Sequence, residues 1–257
     1  MTSSVAEKDN RRINSYIIIS LGWSYTFWII AAIISTRNPD WTGIQLLHFL
    51  GGIGPLLATI FTVTKMKDWQ GYLKRCIDFS GYSMIDWLIL LSPILIALVV
   101  SLIMEGNISL SQEFLGSGVL YGVFLFFFGP LPEELGWRGV LFDLLSRQSS
   151  LKAQVITAAV WFTWHLPLFF IVGSYQHGVG FATSGFLLWA VGLILQSIIM
   201  GYLYLSTNRS IASAILFHYF VNLSGEAFEL NIPAEIMSIG FYVVVLSVTI
   251  LYRQKNA

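Results

Sequence analysis

Apolar residues in this chain come in long blocks rather than in alternation. Runs long enough to cross a bilayer recur about eight times: 13–34, 43–64, 87–104, a run starting at Phe114, 153–172, 185–205, 210–225 and 236–252. A bilayer interior offers no water to backbone N–H and C=O groups, so each run is predicted to be helical. The expected fold is an all-α, polytopic transmembrane helix bundle of about eight spans. No linker divides it, and the 65–86 loop is its largest soluble element, so residues 1–257 are expected to form a single integral membrane domain.

The polar positions give this bundle a direction. Lys8, Arg11 and Arg12 precede the first run; Lys65, Lys67, Lys74 and Arg75 follow the second; Arg147 and Lys152 follow the fourth. Arg209 follows the sixth, and Arg253 and Lys255 follow the eighth. Twelve of the 14 basic residues therefore share one side, leaving Arg37 opposite and Arg138 inside a span, which predicts that both termini are cytoplasmic. The first run is too long for a signal-peptide core and is expected to be retained. The chain is 56% hydrophobic with zero net charge, which gives no reason to expect a nucleic-acid partner. Its lone Cys76 has no internal disulfide partner and is expected to be inert. Gly51, Gly52 and Gly54 permit close helix contacts, within the chain or between chains.

Twelve of the 14 acidic residues fall in loops or near span ends; Glu133 and Glu134 do not. They lie in GPLPEELGWRGVLFDLL, directly after the apolar run 123–128. An ionisable group in a membrane costs several kcal/mol unless paired or hydrated. Glu134 and Arg138 are four apart, acid first, so on a helix they share a face and neutralise each other. Glu133, rotated by about 100°, faces a different direction and is not accounted for by that pair. Pro130 and Pro132 predict a break near Gly129, with a new helix from about Pro132 whose first turn carries the glutamates on its free amides.

Three other polar residues fall inside spans. His165 sits in WFTWHLPLF, where Pro167 is expected to kink the helix and free a carbonyl; His218 and Asn222, four apart in HYFVN, share a helical face that Glu226 extends. At ~1.5 Å per residue, Glu133 lies ~20 Å from the cytoplasmic end of its span, His165 ~18 Å, His218 ~12 Å and Asn222 ~18 Å, depths that permit convergence on one layer. A carboxylate, two imidazoles and an amide form a set that hydrolysis uses: a base, a group orienting water, and donors for an oxyanion. Of the remaining histidines, His48 reads as a packing residue and His177 falls in an external loop. The non-hydrolytic alternatives are an ion-pair lock between helices, a bacteriocin-immunity or scaffold protein that binds a peptide in the same cavity, and a proton-coupled transporter.

The motifs resemble a known family. EELGWR at 133–138 resembles the EExxxR motif of the CAAX-protease and bacteriocin-processing (CPBP, or Abi) family of intramembrane endopeptidases. WFTWH at 161–165 resembles its second motif and HYFVN at 218–222 its third, over roughly 114–223. Trp161 stands where the second motif usually opens with Phe, and Phe162 follows. The resemblance implies hydrolysis of a peptide bond in a membrane-associated substrate, prenylated in the type II CAAX endopeptidases. It implies Glu133 as general base, His165 holding the water, His218 and Asn222 as oxyanion donors, and Glu134 with Arg138 as structural support. Glu133, His165 and His218 are the three ligands a zinc ion would use if the reaction is metal-dependent. The chain lacks HExxH and Asn222 is a poor zinc ligand, so a metal-free mechanism without cofactor is the preferred expectation. The expected partners are a peptide or protein substrate and membrane lipid, and the expected location is a bacterial cytoplasmic membrane.

Overall fold

The computed structural model describes all residues except 1, 2, 68, 109, 229, 230 and 257, and omits the side chains of 3, 4, 65, 105, 113, 117–119, 255 and 256. Asp68 and Glu229, expected in loops, and the side chains of Lys65, Glu105, Glu113 and Lys255, expected near span ends, therefore lie outside the described residues. Among the described residues every regular element is helical. The first are α1 (Ser3–Arg37), α2 (Gly43–Gly52), α3 (Gly54–Met66), α4 (Trp69–Arg75), α5 (Met84–Glu105) and α6 (Gln112–Phe128). Then come α7 (Pro130–Gly136), a π-helical turn (Trp137–Phe142), α8 (Asp143–Ser146), α9 (Ser150–His165) and a 3-10 turn (Leu166–Phe170). The last are α10 (Tyr175–Val179), α11 (Ser184–Ser206), α12 (Ile211–Ala227) and α13 (Ile232–Asn256).

Among the described residues, six stretches are long and apolar enough to cross a membrane: Val5–Arg37, Gly43–Thr64, Met84–Met104, Ser150–Phe170, Ser184–Ser206 and Ile232–Gln254. The other two expected spans correspond to α6 and α12, each 17 residues long. At ~1.5 Å per residue such a helix is ~25 Å long, the lower limit for crossing a ~30 Å hydrocarbon core.

The chain divides into two compact units, Met1–Leu73 with Pro132–Ala190 and Lys74–Leu131 with Val191–Ala257. In the first, α1 packs along α2 and α3 and also meets α9, the π turn and the 3-10 turn. Its approach to α2 and α3 depends on missing side chains. A Cβ on Gly51 would fall 2.2 Å from Trp28 Nε1, and one on Gly54 would fall 2.2 Å from Ser24 Oγ and 2.7 Å from the Ser20 carbonyl. The gap is closed by hydrogen bonds. The Trp28 indole donates to the His48 carbonyl (2.8 Å), the Ser24 hydroxyl to the Gly51 carbonyl (2.7 Å), and the Trp164 indole to Ser24 Oγ (2.7 Å). Two of the three small residues noted in the sequence thus serve contacts within the chain, whereas a Cβ on Gly52 would meet nothing within 4 Å.

In the second unit α5 packs against α12 and α13, and α6 against α12. Helix α5 starts at a capping box: Ser83 Oγ accepts from the Asp86 amide (3.2 Å) while Asp86 Oδ2 accepts from the Ser83 amide (2.9 Å). The other oxygen of Asp86 accepts from the Ser206 hydroxyl (2.6 Å), and the Ser210 hydroxyl donates to the Asp78 carbonyl (2.6 Å). These bonds tie the connection before α5 to the one between α11 and α12. The Ser80 hydroxyl and amide donate to the Asp78 carboxylate and hold its pKa below the ordinary value. Burial pushes the Cys76 thiol up to about 11, against the lowering effect of Arg75.

Overpacking typically costs about 1–3 kcal/mol, so Gly54→Ala is expected to lower the unfolding midpoint in detergent by that equivalent, and Gly52→Ala to leave it unchanged or raised. A raised thiol pKa lowers the thiolate fraction at any pH below it. Relative to a free cysteine near 8.5, Cys76 is expected to carry roughly a few hundredfold less thiolate at pH 8. Maleimide labelling of the folded protein should accordingly be slow at pH 8 and accelerate steadily toward pH 10.

Candidate active site

The break predicted near Gly129 is present. Gly129 ends α6 with φ −121° and ψ −95°, and its amide still bonds to the Leu125 carbonyl. The new helix begins at Pro130 rather than about Pro132, so Glu133 lies in its first turn, as expected. Helix α7 runs for 7 residues and passes into the π turn, all 6 of whose residues are buried. Widening of the helix from four to five residues per hydrogen-bonded step is a device found often at functional sites. At the junction the Tyr72 hydroxyl donates to the Leu135 carbonyl. Gly136 fits there because a Cβ would fall 2.1 Å from Tyr16 Oη and 2.9 Å from the Pro55 carbonyl.

The i,i+4 pair forms as its spacing predicts. Arg138 Nη1 lies 2.8 Å from both oxygens of Glu134, and both side chains are 0% exposed. The guanidinium carbon also sits 5.1 Å from the centroid of the Trp161 ring, a cation–π contact. Glu133 takes a different direction, as the helical rotation requires. The Trp161 indole N–H donates to Glu133 Oε2 (2.8 Å), in a site where Glu133 is 8% exposed.

Trp161 has a second role. Its backbone carbonyl lies 2.8 Å from His165 Nδ1. A carbonyl can only accept, so Nδ1 carries the proton, and in the neutral ring Nε2 holds the lone pair. Three indoles surround that ring edge to face: Trp161 at 5.4 Å, Trp164 at 4.8 Å and Trp189 at 5.5 Å between centroids. His165 is the last residue of α9, which gives way to the 3-10 turn where Pro167 stands in the first two positions. Pro167 has no amide to offer Thr163 four residues back, and the Tyr25 hydroxyl donates to the Thr163 carbonyl (2.6 Å). At Pro167 the α-helix gives way to a 3-10 turn, and the Thr163 carbonyl accepts from the Leu166 amide as well as from Tyr25.

His218 and Asn222 belong to the second unit, on α12. His218 is buried and Asn222 half-buried, one turn apart, and Glu226 is exposed in the last turn. Asn222 lies beside the chain break, since a Cβ on Gly129 would sit 3.5 Å from its Nδ2. His48 packs edge-on against Trp28, 6.1 Å between centroids, in agreement with a packing role. His177 is exposed in α10 rather than in a loop.

Sequence reasoning placed Trp161 as an aromatic wall and did not assign its hydrogen bond to Glu133. The available signal was the residue itself, a tryptophan with a ring N–H at a position where phenylalanine is usual. Tyr25, Tyr72, Trp164, Trp189 and Gly136 had no signal, since each acts across the fold. For a metal, the donor set is the test. Glu133 Oε2 is engaged by the indole, and among the described residues no group of three His, Cys, Asp or Glu side chains is placed to hold an ion.

Fold and site define a helical membrane protein with a buried carboxylate and a buried imidazole set by one tryptophan. Residues 115–224 match the family model described as "Type II CAAX prenyl endopeptidase Rce1-like", a span that holds all three motifs. The chain is also 28% identical over 254 residues, 93% of each protein, to "CAAX prenyl protease 2" of Methanococcus maripaludis (strain S2 / LL). The chain is thus similar to proteases of this kind across the region that carries all three motifs, and both similarities indicate a protease.

Removing one partner of a buried ion pair strands the other, at about 3–5 kcal/mol. Arg138→Met is therefore expected to lower the unfolding midpoint strongly, and Glu134→Leu combined with Arg138→Met to recover much of the loss. Thermal unfolding of the three purified proteins in one detergent measures both effects.

Proposed function

We propose that the protein hydrolyses a peptide bond in a membrane-associated, prenylated CAAX-type protein or peptide, through water activated by glutamate. The observation that carries this reading is the double role of Trp161, whose indole donates to Glu133 while its carbonyl fixes the His165 tautomer. One residue thereby orients a base and a hydrogen-bond acceptor for the same water. Further support comes from the relative named as a CAAX prenyl protease over nearly its whole length.

In this mechanism the attacking water donates one hydrogen bond to Glu133 and the other to His165 Nε2. Glu133 removes the first proton as the oxygen attacks the scissile carbonyl carbon. The oxyanion that forms is met by His218 and by the Asn222 side-chain N–H, donors that strengthen their bonds as charge develops. Protonated Glu133 then delivers its proton to the leaving nitrogen as the C–N bond breaks. Glu134 and Arg138 hold the turn and do not touch substrate. The mechanism needs neither metal nor cofactor, and a buried site of this kind takes an extended, unfolded tail. The proposed location is the cytoplasmic membrane of a bacterial cell, with the site open to cytoplasmic substrates.

The test is cleavage of quenched fluorogenic CAAX peptides, farnesylated and not, by the purified protein with and without chelator. Wild type is expected to cleave the farnesylated peptide and to be unaffected by chelator. Glu133→Gln and His165→Ala should each lose at least about a hundredfold in kcat while inserting normally, the usual worth of a positioned acid–base group. Trp161→Phe keeps the ring but loses the donor to a charged group, about 1.5–3 kcal/mol, so kcat should fall roughly tenfold to a hundredfold. Retained cleavage in Glu133→Gln overturns the mechanism, and inhibition by chelator overturns its metal-free form.

A further inference from the structure

The first unit has a second feature that the proteolytic site does not use. A cavity of about 300 Å³ opens at the N-terminal end of α1, lined by Lys8, Arg11, Arg12 and Ser15 of α1 and by Phe61 and Thr62 of α3. Positions 8, 11, 12 and 15 follow the i, i+3, i+4, i+7 rule, so they form one face of α1. The three cations sit where α1 is about to become apolar.

The local charges do not cancel. Arg11 pairs with Glu7 at the surface, where both side chains are largely exposed and the pair is worth little. Buried Asp9 accepts from Arg12 at 3.3 Å and lies 3.9 Å from Arg147, which in turn donates to Asp143 at 2.7 Å. Among the described residues, four cations against three carboxylates leave one positive charge in excess beside the cavity. That is the complement of a single phosphodiester.

The same helix face continues away from the cations as apolar surface. Ile18 is 71% exposed, and a Cβ on Gly22 would meet no heavy atom within 4 Å. On α3, Phe61 at the cavity and its neighbour Ile60 are also exposed. A cationic pocket with the Ser15 hydroxyl, leading onto an exposed apolar face, matches a molecule with an anionic head and an acyl tail. Basic pockets between helices at the cytoplasmic boundary bind such headgroups, each cation near an anionic membrane surface contributing ~1 kcal/mol. We infer that this face of α1 and α3 is a binding site for a singly anionic phospholipid, its phosphate among Lys8, Arg11 and Arg12 and one acyl chain along Ile18 and Gly22. This site is independent of the catalytic reading.

The probe is phosphatidylglycerol against phosphatidylcholine of identical acyl chains, at equal concentration, with retained lipid counted by native mass spectrometry of the detergent-purified full chain. The wild type is expected to retain phosphatidylglycerol at least about tenfold over phosphatidylcholine. Lys8 and Arg11 are exposed and make no buried contact, so Lys8→Glu with Arg11→Glu should fold and should abolish the preference, whereas Lys8→Arg with Arg11→Lys should keep it. Gly22→Leu adds bulk to the apolar face where the acyl chain is placed, without changing charge, and should also reduce retention. Millimolar inorganic phosphate should not displace the lipid. Equal retention of the two lipids, an unchanged preference after charge reversal, undiminished retention in Gly22→Leu, or displacement by free phosphate would each overturn the assignment.

Discussion

The first unit is organised around a charge that has nowhere else to go. The Arg138 guanidinium is wholly removed from solvent, and burying an ion costs several kcal/mol after relaxation. Compensation comes from Glu134, one helical turn before it, and from the face of Trp161. A residue held from two sides fixes the rotation of α7 and the π turn about their axis. Once Glu134 is committed to Arg138, Glu133 is about 100° away on the same turn and meets the edge of the same indole. The structural pair and the proposed base are thus aimed by one piece of geometry.

Much of this was legible because it is local. The i,i+4 spacing of Glu134 and Arg138, the break at Gly129 and the effect of Pro167 on α9 are properties of a few adjacent residues, and all are found. The limits of legibility were also physical. The helix resumes at Pro130 because a proline is tolerated in a first turn, where its missing N–H has no partner to lose, and sequence alone did not separate Pro130 from Pro132 as the start. The π register, the fit of Gly136 against Tyr16 and Pro55, and the Tyr25 and Tyr72 hydrogen bonds depend on which helices become neighbours. Nothing in their own sequence windows records them. Helices α6 and α12 mark a different limit, since apolar runs locate a helix better than they locate its ends.

Each proton in the site is placed by a group that cannot exchange its role. The Trp161 indole only donates and its carbonyl only accepts. The first fixes which oxygen of Glu133 is engaged, and the second fixes which nitrogen of His165 bears hydrogen. Hydroxyl groups would leave both assignments open to rotation. The three indoles around His165 add bulk without a competing acceptor, so the imidazole is packed as firmly as an apolar residue while keeping a polar edge.

This also explains what a tryptophan contributes where the resembling family usually has phenylalanine. Either ring builds an aromatic wall, and either backbone supplies the carbonyl that orients His165. Only tryptophan adds a donor to the carboxylate, and only its larger, electron-rich face gives the strongest cation–π partner for Arg138. The indole N–H engages Oε2, so the substitution makes the two carboxylate oxygens of Glu133 distinct. A base whose reactive oxygen is fixed needs less reorganisation when water is bound, and orientation of this kind is where much of an enzyme's rate originates. In this chain the tryptophan accordingly orients the carboxylate proposed as the base and, at the same time, forms part of the compensation for a buried arginine.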